Sequence, residues 1–262
     1  MSGRVASLDA PPIRVRGLRT AFGEKVIHDN LDLEVRRGEI LGVVGGSGTG
    51  KSVLLNTILG LKRPDGGTVE ILGRNAEDAD APGWIGRRIG VMFQQGALFS
   101  FLTVQENVEA PLIEHARIPA SLTAEIARLK IRLAGLPDHA GALRPSELSG
   151  GMRKRAGVAR AIALDPDILF LDEPTAGLDP IGASEFDELI RTLRDALGLT
   201  VFMITHDLDT LYAICDRVAV LADRKVVAVA PVAELERSDH PWVRTYFLGP
   251  RGRAAHDAKK DR

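Results

Sequence analysis

The stretch GGSGTGKS, Gly45 to Ser52, directly follows the apolar run Ile40 to Val44. It fits G-x-x-x-x-G-K-[ST], with Gly45, Gly50, Lys51 and Ser52 in the fixed places and Gly46, Ser47, Gly48 and Thr49 between them. Glycines let a backbone curl until successive N–H groups point at one anion. The residues from Lys51 through Val53 to about Leu59 read as a helix whose positive dipole end faces the same anion. Lys51 adds a point charge for outer phosphate oxygens, and Ser52 has a hydroxyl for Mg²⁺. A flexible glycine turn is the plainer reading. The strand before and the helix after favour a phosphate-binding loop.

Two further stretches carry the same chemistry. ILFLDE, Ile168 to Glu173, is an apolar strand ending in two carboxylates. Ligands of α/β sheets sit at carboxyl strand ends, so Asp172 is placed to hold Mg²⁺ and Glu173 to polarise a water. LSGGM (Leu148, Ser149, Gly150, Gly151, Met152) opens a second helix with an N-cap serine and bare backbone N–H groups. One chain thus has two phosphate-binding helix starts but one carboxylate pair. The economical reading is a two-fold dimer in which each copy completes its partner's site. A plain Gly-Gly helix entry is the alternative.

Strands alternate with helical patterns, which predicts an α/β fold with a parallel-sheet core. Ile13 to Val35 reads as short strands broken by polar turns such as Gly23 to Lys25, Thr68 to Leu72 and Ile89 to Phe93 as strands, and Arg217 to Val229 as a hairpin turning at Asp223 to Lys225. From about Ala97 to Leu143 helical composition takes over, with Leu122 to Ala134 stopped by Gly135 and Pro137. The 262 residues are 45% hydrophobic and carry a formal net charge of −1. That balance argues against a nucleic-acid partner. No run reaches membrane-span length and MSGRVASLDA has no apolar signal core, so a cytosolic chain is expected. The single Cys215 reads as a small buried residue.

Phosphate loop, LSGGM, LFLDE, AGLD (Ala176 to Asp179) and His206 after VFMIT occur in this order. With them the chain resembles the ATPase subunit of an ABC transporter over nearly its whole length. That resemblance implies a P-loop fold with an antiparallel β subdomain and an inserted α-helical subdomain at about 97–160. It also implies ATP and Mg²⁺ as cofactors and a head-to-tail homodimer. By the same resemblance, Gln94 links Mg²⁺ to the helical part, His206 contacts the γ-phosphate, Asp179 communicates with the facing subunit, and Phe22 stacks on adenine. Without the family, His206 is an ordinary hydrogen-bonded histidine and Gln94 or Gln95 a loop residue. Residues 1–248 are expected to form one ATPase domain, followed by a polar, flexible tail over 249–262.

Val53 after Ser52, GALF at Gly96 to Phe99, and MRKRAGVARA at Met152 to Ala161 are similar to ATPases of Mla/Mce-type phospholipid transport systems. That similarity implies integral-membrane permease partners, a STAS-domain protein, an MCE-domain protein, and a place on the cytoplasmic face of a bacterial inner membrane. Two alternatives stay open: an importer of a small polar solute, and a soluble ABC ATPase acting on ribosomes or DNA. The apolar residues Leu98, Phe99, Phe101 and Leu102 read as a permease contact or as helical core. HPWVRTYFL, His240 to Leu248, reads as a docking tail or as the last packed helix.

Overall fold

Ile40, Leu41, Val43 and Val44 are fully buried. A strand covered on both faces reads as a continuous apolar run, without the alternation of a half-exposed one. The computed structural model describes residues 10–78, 81–94, 96–116 and 118–249. Gln95 and, beyond Gly249, the tail lie outside the described residues. The chain divides into two compact units, Met1–Ile85 with Ile204–Arg262, and Gly86–Met203.

In chain order the first stretch contains β1 (Ile13–Phe22), β2 (Lys25–Val35), β3 (Ile40–Gly45), α1 (Lys51–Ile58), β4 (Gly66–Ile71), β5 (Arg74–Asn75) and α2 (Ala81–Ile85). The second has β6 (Ile89–Met92), α3 (Val104–His115), α4 (Ala120–Leu133), α5 (Gly150–Ala161), β7 (Ile168–Asp172), α6 (Pro180–Leu197) and β8 (Thr200–Ile204). The chain then forms α7 (Leu208–Ile214), β9 (Arg217–Ala222), β10 (Lys225–Ala230), α8 (Val232–Leu235) and α9 (Pro241–Leu248).

Within the first unit β1 lies between β2 and β4 in an antiparallel sheet, and β5 extends it. A second sheet places β9 parallel to β3, with Leu41 opposite Arg217 and Gly45 opposite Leu221; β10 returns antiparallel to β9. Partly buried polar contacts fix this register at its start. Asp216 accepts from the Ile40 N–H at 2.8 Å, and Arg217 donates twice to Glu39, at 2.7 and 2.8 Å. Glu39 is 7% exposed, so this paired charge costs less than a lone one there. Cys215, read from the sequence as buried, is only partly so and packs against the neighbouring apolar cluster.

In the second unit β6 runs parallel to β7, Ile89 opposite Ile168 and Met92 opposite Leu171. Gly90 is required there, because a Cβ on it would sit 2.1 Å from the Ala161 carbonyl oxygen. The helices α3, α4 and α5 close around Val104, Val108, Leu112, Ala127, Ile131 and Ala159. Helix α3 starts on a full capping box: Thr103 Oγ1 accepts from the Glu106 N–H while Glu106 accepts from the Thr103 N–H. Helix α6 ends at Gly198, whose φ of 67° is an αL C-cap position.

Candidate functional site

Gly45 ends β3, and its Cβ position is closed by the Leu221 carbonyl oxygen at 2.6 Å. The chain then turns through Gly46 to Thr49. Thr49 Oγ1 donates to the Gly46 carbonyl at 2.9 Å. Gly50, at φ 98°, caps α1. Its Cβ position is closed by His28 Nε2 and Ile27 Cγ2, each 2.5 Å away. Both sterics and dihedral therefore demand glycine, and the first-turn N–H groups of α1 stay open to an anion. Lys51 Nζ lies in the loop, donating to the carbonyls of Gly45 at 2.7 Å and Gly46 at 3.1 Å. Ser52 is exposed in the first turn of α1 and Val53 half-buried behind it. A cavity of about 420 Å³ opens beside the loop, lined by Lys25, Ser47, Gly48, Thr49 and Arg224 among others.

His28 is fully buried behind this loop, with Nδ1 2.8 Å from Thr20 Oγ1. Burial pushes its pKa down to about 4, only partly opposed by the adjacent Gly50 backbone. It is a neutral strut at neutral pH. Phe22, at the end of β1, is 58% exposed and has the Lys62 ammonium 4.9 Å above its ring centroid. His206 is exposed in the connection between β8 and α7, and its carbonyl accepts from Tyr246 Oη at 3.2 Å. The structure thus gathers Phe22, the loop 45–53 and His206 in one unit.

The other unit holds Gln94, LSGGM, Asp172, Glu173 and Asp179. Asp172 ends β7, and Glu173 follows in the left-handed region at φ 48°. Such a backbone costs an L-residue about 1–2 kcal/mol. Lys154, in α5, supplies a compensating contact that sequence reasoning missed. Its ammonium donates to the Gln94 carbonyl at 2.5 Å and to the Glu173 carbonyl at 3.1 Å. Lys154 is 8% exposed; burial lowers its pKa, while the charges of Glu173 and Asp172 oppose that shift. A helical phase signal was present, since Lys154 stands four and seven residues before the buried Val158 and Ala161.

Ser149 caps α5, its Oγ accepting from the Met152 N–H at 3.2 Å. A Cβ on Gly150 would meet nothing within 4 Å, so that helix start is bare backbone. Leu148 is buried beneath it. Asp179 caps α6, accepting from the N–H groups of Ile181 at 3.1 Å and Gly182 at 3.0 Å. The loop after Gln94 is organised by Asn107, fully buried, which bonds both the N–H and the carbonyl of Phe99 and the carbonyls of Leu102 and Thr103. Leu98 packs on the helical core while Phe101 is 71% exposed. Asn107 is the second residue the sequence reading passed over.

Among the described residues no cluster of three or more His, Cys, Asp and Glu could hold a metal. Mg²⁺ ordinarily takes one or two carboxylates plus phosphate oxygens and water. The Gly45 and Gly50 positions, each closed to a Cβ, and the bare helix start fit a polyphosphate. A strand, a glycine loop of this conformation and a lysine folded into it define a P-loop α/β protein.

A family model described as ABC transporter matches residues 28–176. The chain belongs to the ABC transporter family, with the P-loop fold of its ATPase cassettes, and its reaction is ATP hydrolysis. It is 40% identical over 243 residues to the intermembrane phospholipid transport system ATP-binding protein MlaF of Haemophilus influenzae, covering 90% of each chain. It is 37% identical over 241 residues to the probable ribonucleotide transport ATP-binding protein mkl of Mycobacterium leprae, covering 91% of this chain and 69% of that one. Among solved structures, the dimeric bacterial ABC transporter cassette MJ0796 matches with a TM-score of 0.76 at 31% identity, covering 84% of this chain and 98% of that one. A post-hydrolysis state of MJ0796 bound to ADP and Pi matches equally well, at TM-score 0.76.

Proposed function

We propose that this chain is the ATP-hydrolysing subunit of a membrane transporter that moves phospholipid across or between bacterial envelope membranes. The observation that carries this reading is the 40% identity to MlaF across 90% of both chains. The likeness to mkl supports a second reading, a transporter of a polar solute, at slightly lower identity. Among the described residues no helix is long and apolar enough to cross a membrane, so permeation falls to partner subunits. The exposed Phe101 suits a permease contact, with the cassette peripheral on the cytoplasmic face of the inner membrane. STAS-domain and MCE-domain partners belong to the same reading.

Residues 1–248 act as one ATPase domain in it. Phe22 stacks on the adenine. The loop Gly45 to Gly50, Lys51 and Val53 hold the phosphates, and His206 contacts the terminal one. Ser52, Asp172 and Gln94 hold Mg²⁺, which neutralises phosphate charge when bound. Glu173 is the general base. Leu148 to Met152 of one copy grip the nucleotide of a second copy, and Asp179 carries the dimer signal. ATP bridges the two copies through its γ-phosphate; ADP lacks that bridge, so the closed dimer loses its differential stabilisation.

Lys154→Met tests the backbone tie between Gln94 and Glu173. Turnover is expected to fall about 10–100-fold, the scale of a displaced catalytic group, with KM for ATP within about twofold. Lys154→Arg, which keeps the donors, should restore most of it. Unchanged turnover in Lys154→Met would remove the tie from the mechanism.

The transport reading is tested by gentle solubilisation of native membranes, purification of the tagged chain, and mass spectrometry of co-purifying proteins and lipids. A multi-spanning permease with an MCE-domain protein and retained phospholipid is the expected result. A permease with a solute-binding protein and no lipid would leave the ATPase standing and overturn the cargo.

A further inference from the structure

Helix α9 turns one face into the core and the other toward the nucleotide loops of its own unit. Val243 and Phe247 are 0% and 1% exposed, in a cluster with Val44 of β3 and Leu211 of α7. Those two residues belong to the strand that feeds the phosphate loop and the helix that follows His206. Trp242 and Tyr246, four apart and so stacked along one helix face, have ring centroids 4.8 Å apart at 14°. Tyr246 Oη donates to the His206 carbonyl at 3.2 Å. Trp242 Nε1 stands beside Gly46, 3.6 Å from where a Cβ would be. At the start of α9, His240 Nε2 lies 3.4 Å from Asp223 Oδ2, on the β9–β10 turn. That turn is in turn pinned to β2 by the Asp29 N–H donating to the Arg224 carbonyl at 3.1 Å.

We propose that α9 is a brace holding the His206 backbone and the phosphate loop at a fixed spacing, with Tyr246 a positioning residue for ATP hydrolysis. The connection carrying His206 lies outside any helix or strand, and the Tyr246 hydroxyl gives its carbonyl a side-chain donor from a packed helix. A tyrosine clamped by a stacked indole is such a donor, because the stack removes its freedom to swing away. The His206 imidazole then meets the terminal phosphate without first ordering its loop. The Trp242 ring transmits the same constraint to Gly46. This inference rests on the reading of His206 as the γ-phosphate contact.

The test is steady-state ATP hydrolysis by the purified full-length chain, with thermal unfolding recorded for each variant. Tyr246→Phe keeps the stack and removes only the hydroxyl. It should lower kcat about three- to tenfold, the worth of one hydrogen bond, and leave KM for ATP within about twofold. Trp242→Ala should raise KM for ATP about threefold or more, and Trp242→Phe should restore it. In a His206→Ala background Tyr246→Phe should add no further loss of kcat. A Tyr246→Phe protein with a shifted unfolding midpoint but wild-type kcat would overturn the Tyr246 role, as would an undiminished loss in the His206→Ala background. Wild-type kcat in His206→Ala alone would instead overturn the reading of His206 and, with it, the Tyr246 arm; the Trp242 arm is decided separately by KM. Unchanged KM in Trp242→Ala overturns that arm.

Discussion

Glu173→Gln is expected to slow steady-state ATP hydrolysis by about 10²–10⁴-fold, the usual contribution of a positioned general base, while leaving ATP affinity near wild type. Glutamine matches glutamate in size and still hydrogen-bonds, but it cannot take a proton from water. The surroundings make this a clean substitution. The backbone at Glu173 is held by the end of β7 on one side and the Lys154 ammonium on its carbonyl. The φ of 48° there is a backbone strain that stays when the side chain changes. Loss of rate should therefore come from proton transfer and not from collapse of the strand end. Phosphate release measured alongside nucleotide binding separates the two. Turnover within twofold of wild type would remove Glu173 from the role of base.

How much of this was legible beforehand depends on the kind of signal each residue leaves. The strands β3, β7 and β8 are short unbroken apolar runs, so burial on both faces announces itself in sequence. Helix α6 begins at Pro180, ahead of the apolar period that starts at Phe186. Its first turns are small and polar and leave no apolar period, although Asp179 before Pro180 is a helix-start pair. The glycine motif located the phosphate loop, and the family resemblance supplied His206 and Gln94. Lys154 and Asn107 were passed over for a common reason. A lysine among arginines, or an asparagine in a polar helix, reads as solvated, because composition does not tell which backbone carbonyls will be left needing a donor. The aromatic segment at the C-terminal end left two readings open, docking tail or packed helix. It packs as α9, with Val243 and Phe247 in the core. What it touches was invisible, since Gly46 and His206 lie far from it in sequence.

Gly50→Ala should be severely damaging for a single added methyl. Two independent costs meet there. The φ of 98° lies where an L-residue is strained by about 1–2 kcal/mol. The added Cβ would also stand 2.5 Å from both His28 Nε2 and Ile27 Cγ2. Overpacking of that kind costs about 1–3 kcal/mol more. Neither neighbour yields easily: His28 is fully buried and held to Thr20 at 2.8 Å. The sum, about 2–5 kcal/mol, is a large share of an ordinary domain's stability of about 5–15 kcal/mol. Any relief by shifting the loop moves the first turn of α1, so nucleotide binding should be lost along with stability. Gly48→Ala is the matched control, with a φ of 78° and nothing within 4 Å of its Cβ. It meets the strain cost alone and should unfold only slightly earlier than wild type. Adding His28→Ala to Gly50→Ala opens the blocked space and should recover part of the lost stability, whereas His28→Ala by itself destabilises. Thermal unfolding and nucleotide binding across the four variants decide the matter. If Gly50→Ala is as stable as Gly48→Ala, the contact with His28 is not what holds this position to glycine, and the dihedral alone must account for it.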